Sequence, residues 1–384
     1  MYIEFCIYYK RTDFSEMIQR AHTIKLKPNK AQSVLLSKTA GTARFAYNWG
    51  LAKWNELYEK GEKCSAYSLI SLWKQERPEW ALEVGSACLQ RPFMHLEGAF
   101  KAFFRGVRKH PTFHKKGLKD SFYVPVGQFR LFHNKISIPK VGRVRMTECL
   151  RYEDAKLLSA SVRRKADGWY VSICVELEEE RRTESDSFVG VDVGCKQLAV
   201  ASDGTICDTP GKLKDLERQL CRRQRLLARK VKGSKNRQKA RLRVSRTFQR
   251  IQNIKQDTVH KFTSHIAKNH GTVCLETLDV KDMKESSNKF VRKGVQRSCM
   301  SEILRQLKYK CNNFIEVDKY FPSSKTCSNC HSLKADLDLG DRTYICQSCG
   351  LKIDRDLNAA LNLRQEGLRI YTVGHTGSAS GETR

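Results

Sequence analysis

A chain of 384 residues with 40% hydrophobic content is long enough for two or three domains with substantial cores, which excludes a disordered polyelectrolyte. Its 71 Lys+Arg against 41 Asp+Glu give a net charge of +30. Neutralising phosphates releases condensed counterions, so this excess favours a polyanionic partner, nucleic acid before any other.

Residues 1–10 are apolar but broken by Glu4 and lack a basic leader. They make a poor signal peptide, and no run approaches a membrane span. From His22 to Lys27 the pattern alternates as a strand does and stops at Pro28, after which Asn29 is placed to cap a helix carrying Val34, Leu35, Ala43, Phe45 and Ala46. Helical patterns continue to about residue 106. Tyr47, Trp49, Trp54, Trp73 and Trp80 lie among them, either as core or as surfaces for stacking on bases, with core favoured by the helical spacing.

Between about 111 and 180 the period becomes two. Strand patterns at residues 121–124, 129–138, 141–146, 156–164 and 169–177 are separated by Gly127, Asn134, Gly142 and an Asp167-Gly168 turn, which predicts a small β-barrel or meander with a basic surface. A polar run from Glu176 to Ser187 reads as a linker. A new unit then opens with the apolar strand Phe188-Val-Gly-Val-Asp192, followed by a second strand near residues 197–202 and a turn at Asp203-Gly204. Two long helices follow. One carries Leu213, Leu216, Leu220, Leu227 and Val231 as its apolar stripe, the other Val244, Phe248, Ile251, Val259, Phe262 and Ile266. Their remaining faces are crowded with cations, including Arg218, Arg222, Arg223, Arg225, Arg229, Arg237, Arg241, Arg243, Arg246 and Arg250, too many for neighbouring acids to neutralise. This predicts a basic helical hairpin along a phosphate backbone. Thr272 to Glu276 is another apolar strand ending in an acid; a helix near residues 300–311 and a strand at Phe314-Ile-Glu-Val follow.

Cys327-Ser-Asn-Cys330 and Cys346-Gln-Ser-Cys349 are two CxxC knuckles with fifteen residues between them, the spacing of a tetrahedral structural Zn²⁺ ribbon. The other eleven of the fifteen cysteines are scattered without a disulfide framework, which points to a reducing, cytoplasmic setting. Seven residues past Cys349 comes Asp356, at the start of an apolar helix.

Three acids thus share a pattern: Asp192 in one apolar strand, Glu276 at the end of another, Asp356 at a helix start. A carboxylate in an apolar strand is costly unless paired with a Lys or Arg or bound to a metal. Three that converge would form a hard-oxygen cage for Mg²⁺. Two such ions can activate water and stabilise the leaving oxygen in phosphodiester cleavage.

Gly190-Val-Asp192-Val-Gly-Cys-Lys, Leu275-Glu276-Thr-Leu-Asp and Asp354-Arg-Asp356-Leu-Asn-Ala-Ala-Leu-Asn, with the ribbon between the second and third, resemble the motifs of a RuvC-like nuclease of RNase H-like fold. The arrangement resembles the TnpB (OrfB) family, insertion-sequence nucleases related to type V CRISPR effectors. Ile24-Lys-Leu-Lys-Pro, Arg44-Phe-Ala-Tyr-Asn-Trp and Pro111-Thr-Phe-His-Lys-Lys are similar to the family's N-terminal half. The resemblance implies an α/β nuclease domain over residues 186–384 with a zinc ribbon at 323–352. It also implies a β-barrel wedge domain from residues 1–28 and 111–180, and an inserted helical recognition domain at 29–110. Asp192, Glu276 and Asp356 would be the catalytic, Mg²⁺-binding acids, with Asp354 the competitor for the third place. Cys327, Cys330, Cys346 and Cys349 would hold the Zn²⁺, and a guide RNA and target DNA would be the partners. Thr277 stands where the family commonly has an acid. Two other functions fit the same acids or charge: a transposase that performs strand transfer, and a non-cleaving regulator of transposition.

Overall fold

A computed structural model describes residues 17–376 except 118, 119, 153, 179–186, 195, 196, 279–282, 284, 286–291, 293, 296, 297, 335, 338 and 339. The expected linker lies largely outside these residues, as do residues 1–16. The chain divides into two compact units, within Phe14–Glu179 and within Glu180–Arg384.

In the first unit, β1 (Met17–Lys27) leads into α1 (Lys30–Glu59), α2 (Ala66–Glu76), two short 3₁₀ turns and α3 (Arg91–Phe104). Asn29 does cap α1: its side chain accepts from the Gln32 amide at 2.8 Å, and Gln32 accepts from the Asn29 amide at 3.1 Å. Strands β2 (Ser121–Pro125), β3 (Arg130–Phe132), β4 (Lys135–Ile138), β5 (Gly142–Met146), β6 (Lys156–Lys165) and β7 (Gly168–Glu178) complete an antiparallel sheet in the order β2-β6-β7-β1-β5-β4-β3. The first strand is therefore central. It pairs with β7 from Met17↔Glu178 to Lys25↔Tyr170, then with β5 at Leu26↔Met146. Sequence patterning predicts a barrel or meander; the structure gives a seven-stranded sheet in which, among the described residues, no ladder joins β2 to β3.

α1 serves two cores. Its first half packs Leu36, Ala40 and Ala43 with sheet residues such as Ile24, Val171 and Ile173. Its second half packs Ala46, Tyr47, Leu51 and Trp54 with Leu69, Trp73, Phe93 and Leu96 of α2 and α3. Most of the aromatic run is core, as helical spacing predicts. Trp80 departs from it: it is 47% exposed, edge-on to Phe45.

In the second unit, β8 (Phe188–Asp192), β9 (Ala199–Ala201), β10 (Ile206–Cys207), β11 (Thr272–Glu276) and β12 (Asn313–Val317) form a mixed sheet in the order β10-β9-β8-β11-β12. β8, β11 and β12 run parallel, while β9 and β10 are antiparallel additions. Helices α4 (Gly211–Ala228) and α5 (Lys235–Asn269) make the predicted hairpin; α6 (Met300–Lys310) precedes β12, and α7 (Arg355–Thr376) closes the unit. Parallel strands are covered on both faces, hence their unbroken apolar runs. Val189, Val191, Val273 and Leu275 pack with Phe262 and Ile266 of α5 and Ile303 and Leu307 of α6. Strand residues alternate in direction, so Gly190, Asp192, Cys274 and Glu276 face the opposite side, where α7 lies. Among the described residues no helix is long and apolar enough to cross a membrane.

Candidate functional site

Helix α7 lies almost without spacing on the sheet because two glycines allow it. A Cβ built on Gly190 would stand 2.0 Å from the Ala360 carbonyl oxygen and 2.5 Å from the Arg364 nitrogen; one on Gly367 would stand 2.1 Å from Cys274 Sγ. Phe188, two residues before Gly190, meets the ring of Tyr371 at 5.1 Å. Going up β8 from Phe188 to Gly190 is thus going back along α7 from Tyr371 to Ala360. The next residue on that face of β8 is Asp192, and one turn back along α7 is Asp356.

Glu276 reaches the same place by register. Leu275 pairs with Val191 in the parallel ladder, so the residues that follow them, Glu276 and Asp192, end adjacent strands side by side. The carboxyl ends of parallel strands are where α/β folds place ligands. Burial first, then the charges of Asp356 and Glu276, push the Asp192 carboxyl up to about 7 against the opposing Val193 amide and Arg355. Burial also carries Glu276 up to about 7. Asp192 therefore feels both other sequence-predicted acids, and a divalent cation beside it would relieve both its burial and the like-charge repulsion. Among the described residues, their oxygens do not form a set as close as that of the four thiols.

Asp354 has another task. Its carboxylate accepts from the Asp356 amide at 2.9 Å and the Leu357 amide at 3.1 Å, so it caps α7. That leaves Asp356, in the first turn, as the acid the helix presents.

One ligand atom from each of Cys327, Cys330, Cys346 and Cys349 lies within 4.8 Å of all the others. Both knuckles use one backbone device. The residue after the second cysteine takes a left-handed conformation (His331 φ 61°, Gly350 φ 75°), and its amide donates back to the first cysteine's carbonyl at 3.0 and 3.1 Å. The Ser332 hydroxyl, 3.2 Å from Cys346 Sγ, helps push that thiol down to about 5, in the direction of the ligating thiolate. The second knuckle is the turn of a hairpin, β13 (Thr343–Ile345) pairing with β14 (Lys352–Asp354) on either side of it, with Tyr344 fully buried among the cysteines. The donor set suits a structural Zn²⁺. Cys349→Ser should cut zinc content by at least half and raise protease sensitivity around residues 323–354, measured by elemental analysis and limited proteolysis; full zinc retention would contradict the assignment.

Sequence reading missed the residues that tie this centre to α7. Asn358 Nδ2 donates to the Thr326 carbonyl at 2.7 Å, and its Oδ1 accepts from the Ser328 amide at 3.0 Å. Asn362 Nδ2 donates to the carbonyls of Ser323 (2.8 Å) and Thr326 (2.6 Å), and Gln365 Nε2 to that of Ser328 (3.1 Å). The available signal was two asparagines at i and i+4 among apolar residues, a place where an unpartnered amide would be costly.

The basic hairpin is present, with corrections to its inventory. Val231 lies past the end of α4 and is 76% exposed, and Phe248 is 53% exposed, so neither belongs to a buried stripe. Arg223 donates to Thr247 and to the Arg243 carbonyl, and Arg237 to the carbonyls of Leu227 and Lys230. These two guanidiniums hold the helices together. Arg218 pairs with Asp215, while Arg222, Arg225 and Arg229, spaced along exposed α4 and its end, have no ion pair among the described residues.

Comparison with known proteins shows the family of the chain. A family described as "Probable transposase" matches residues 172–287, a Cas12f1-like TNB domain matches residues 301–363, and a helix-turn-helix domain matches residues 17–63. An Escherichia coli K12 protein named "Putative RNA-guided DNA endonuclease InsQ" is 31% identical, over 94% of each chain. A Streptomyces pristinaespiralis protein named "Putative RNA-guided DNA endonuclease" is 29% identical, over 94% of this chain and 92% of that one. Among solved structures, the Cas12f1 chain of a Cas12f1–sgRNA–target DNA complex superposes with a TM-score of 0.57 at 16% identity, covering 88% of this chain and 83% of that one.

Proposed function

The chain belongs to the TnpB (OrfB) family of insertion-sequence proteins, and from that membership we propose that Asp192, Glu276 and Asp356 are the catalytic acids of an RNA-guided DNA endonuclease. The observation that carries the reading is the placing of two strand-end acids beside the acid of α7's first turn, with Asp192 feeling both of the others. These carboxylates would hold Mg²⁺, which when bound supplies water activation and stabilisation of the leaving oxygen. The chain's own part is to hold three negative groups at one end of a rigid sheet, ready for the cation and for the phosphate it neutralises. Cys327, Cys330, Cys346 and Cys349 would hold Zn²⁺. Sequence would be read by pairing between a guide RNA and one DNA strand, the protein gripping the heteroduplex by charge and shape. In this reading the seven-stranded sheet of β1–β7 serves as the wedge domain, α1–α3 as the recognition domain, and residues 186–384 as the RuvC-like nuclease.

The test is the full chain purified with its own RNA and incubated with matched target DNA and Mg²⁺. Cutting by wild type and none by Asp192→Ala is expected; unchanged cutting by the variant overturns the assignment. Joined donor and target DNA in place of cut ends would mark strand transfer instead.

The hairpin supplies a second, independent prediction. Replacing Arg222, Arg225 and Arg229 together by Ala should weaken nucleic-acid binding and lower the slope of log K against log salt by up to about 2–3, since each phosphate contact contributes roughly 0.7–0.9. Arg237→Ala should act differently, unfastening two carbonyls of the hairpin turn and lowering stability by about 1–3 kcal/mol. An unchanged salt slope in the triple variant would return α4's cations to a solvated surface.

A further inference from the structure

We infer that Asn358, Asn362 and Gln365 are positioning residues through which the four-cysteine centre and the three-acid centre are thermodynamically coupled. The inference rests on the proposed roles of those two centres.

Asn358 and Asn362 are 0% and 2% exposed, one turn apart on α7, and face the chain segment 323–328. Between them they bind the Ser323 and Thr326 carbonyls and the Ser328 amide, that is, the approach to Cys327 and the inside of its knuckle. Asp356 lies two residues before Asn358, within the same rigid first turn. Any displacement of the 323–328 segment must therefore move the helix start, break these bonds, or both. Breaking them is costly, because the amides lie away from water, and Asn362 Oδ1 already lacks a partner in the protein. The helix cannot slide to compensate: Gly190 packs against Ala360 and Arg364, on either side of Asn362, and Gly367 against Cys274, leaving no space between α7 and the strands. The first knuckle and Asp356 are thus joined through one helical segment that is itself held against the sheet.

Coupling of this kind is reciprocal. A cation that draws Asp356 toward Asp192 and Glu276 should tighten the hold of the knuckle on its own metal, and a loaded knuckle should tighten the acids' hold on Mg²⁺. A merely structural clamp would support folding of the ribbon and show no such exchange.

The experiment uses the full chain with its bound RNA and measures zinc affinity by competition with a zinc-selective chromogenic chelator, with and without Mg²⁺. In wild type, saturating Mg²⁺ should raise zinc affinity about fivefold, the low end of typical coupling between sites. Asn358→Ala and Asn362→Ala should keep zinc but lose the Mg²⁺ dependence. Gln365→Ala, an exposed position with one bond to the Ser328 carbonyl, should fold normally and lose part of it, which keeps the test open if the buried variants do not fold. Equal zinc affinity with and without Mg²⁺ in wild type, or full coupling in Gln365→Ala together with either asparagine variant, overturns the inference. Cleavage by wild type but not by Asp192→Ala, measured on the same preparations, separates that failure from a failure of the nuclease assignment itself.

Discussion

Asp192→Asn should abolish DNA cleavage and, in Mg²⁺-free buffer at pH 8, raise the melting temperature by several degrees. The carboxyl of Asp192 sits at about 7 in the folded protein, first because it is buried and then because Asp356 and Glu276 are near. An unfolded aspartate titrates near 3.9, so holding the charged form in this place costs on the order of a few kcal/mol above pH 7. The sign follows from proton counting. Below about pH 4 both states are protonated and the site costs nothing. Between about 4 and 7 the folded protein keeps a proton that the unfolded chain has released, so wild-type stability falls as pH rises. Above about 7 the full cost is present. The neutral amide removes it, and the gain in melting temperature should therefore grow from pH 5 to pH 8. Glu276→Gln should show the same trend, since burial raises that group as well. Mg²⁺ should stabilise wild type and leave Asp192→Asn nearly unaffected, because only a site that binds the folded state gains by mass action. The measurement is thermal melting in Mg²⁺-free buffer without EDTA, which would also strip the ribbon. A gain over wild type no larger at pH 8 than at pH 5 would mean that Asp192 is paired, not poised for a cation.

The acids were legible in the sequence because their cost was visible there. An Asp inside Val-Gly-Val-Asp-Val and a Glu closing Val-Cys-Leu-Glu contradict the apolar runs that carry them. The two CxxC spacings and the Asn29 cap were legible for a similar reason: each is a local geometry with a fixed residue offset. Long-range choices left no such mark. Nothing in Met17–Lys27 says that the first strand will sit between β5 and β7, because that pairing is decided by which faces meet across more than a hundred residues. The same limit hid the difference between Arg222, which faces outward, and Arg223, one position on, which ties α4 to α5 through Thr247. Composition makes these two arginines equal, and only the rotation of the helix separates them. Val231 and Phe248 looked like core because the 3.6-residue stripe was carried past the end of one helix and along the outer half of another. The Asp354 and Asp356 alternatives could not be separated by spacing either. At the helix start Asp354 accepts from the Asp356 and Leu357 amides and so caps the helix, which supports the proposal of Asp356 as the acid of the site.

Gly190→Ala should be among the most damaging single methyl additions to the second unit, and the reason joins the fold to the chemistry. The added carbon would meet the Ala360 oxygen at 2.0 Å and the Arg364 nitrogen at 2.5 Å, both backbone atoms of a continuous helix. No rotamer can relieve that contact. Either β8 leaves the sheet or α7 lifts from it, and overpacking that a side chain could absorb already costs about 1–3 kcal/mol. The expected result is a loss at or above that range, read as lower soluble yield and a lower melting temperature. Any soluble protein should cleave poorly, because lifting α7 withdraws Asp356 from Asp192. Two comparisons make the outcome specific. Gly98→Ala, in α3 with nothing within 4 Å of the new carbon, should be neutral or stabilising by about 0.5–1 kcal/mol, as expected for an exposed helical glycine. Gly367→Ala meets Cys274 Sγ at 2.1 Å and Cβ at 2.6 Å, which are side-chain atoms, so Cys274→Gly should recover part of its loss. Around Gly190 there is no side chain to remove, and no second substitution should rescue it. A Gly190→Ala protein that melts and cuts like wild type would show that α7 stands off the sheet, and with it that Asp356 is held elsewhere.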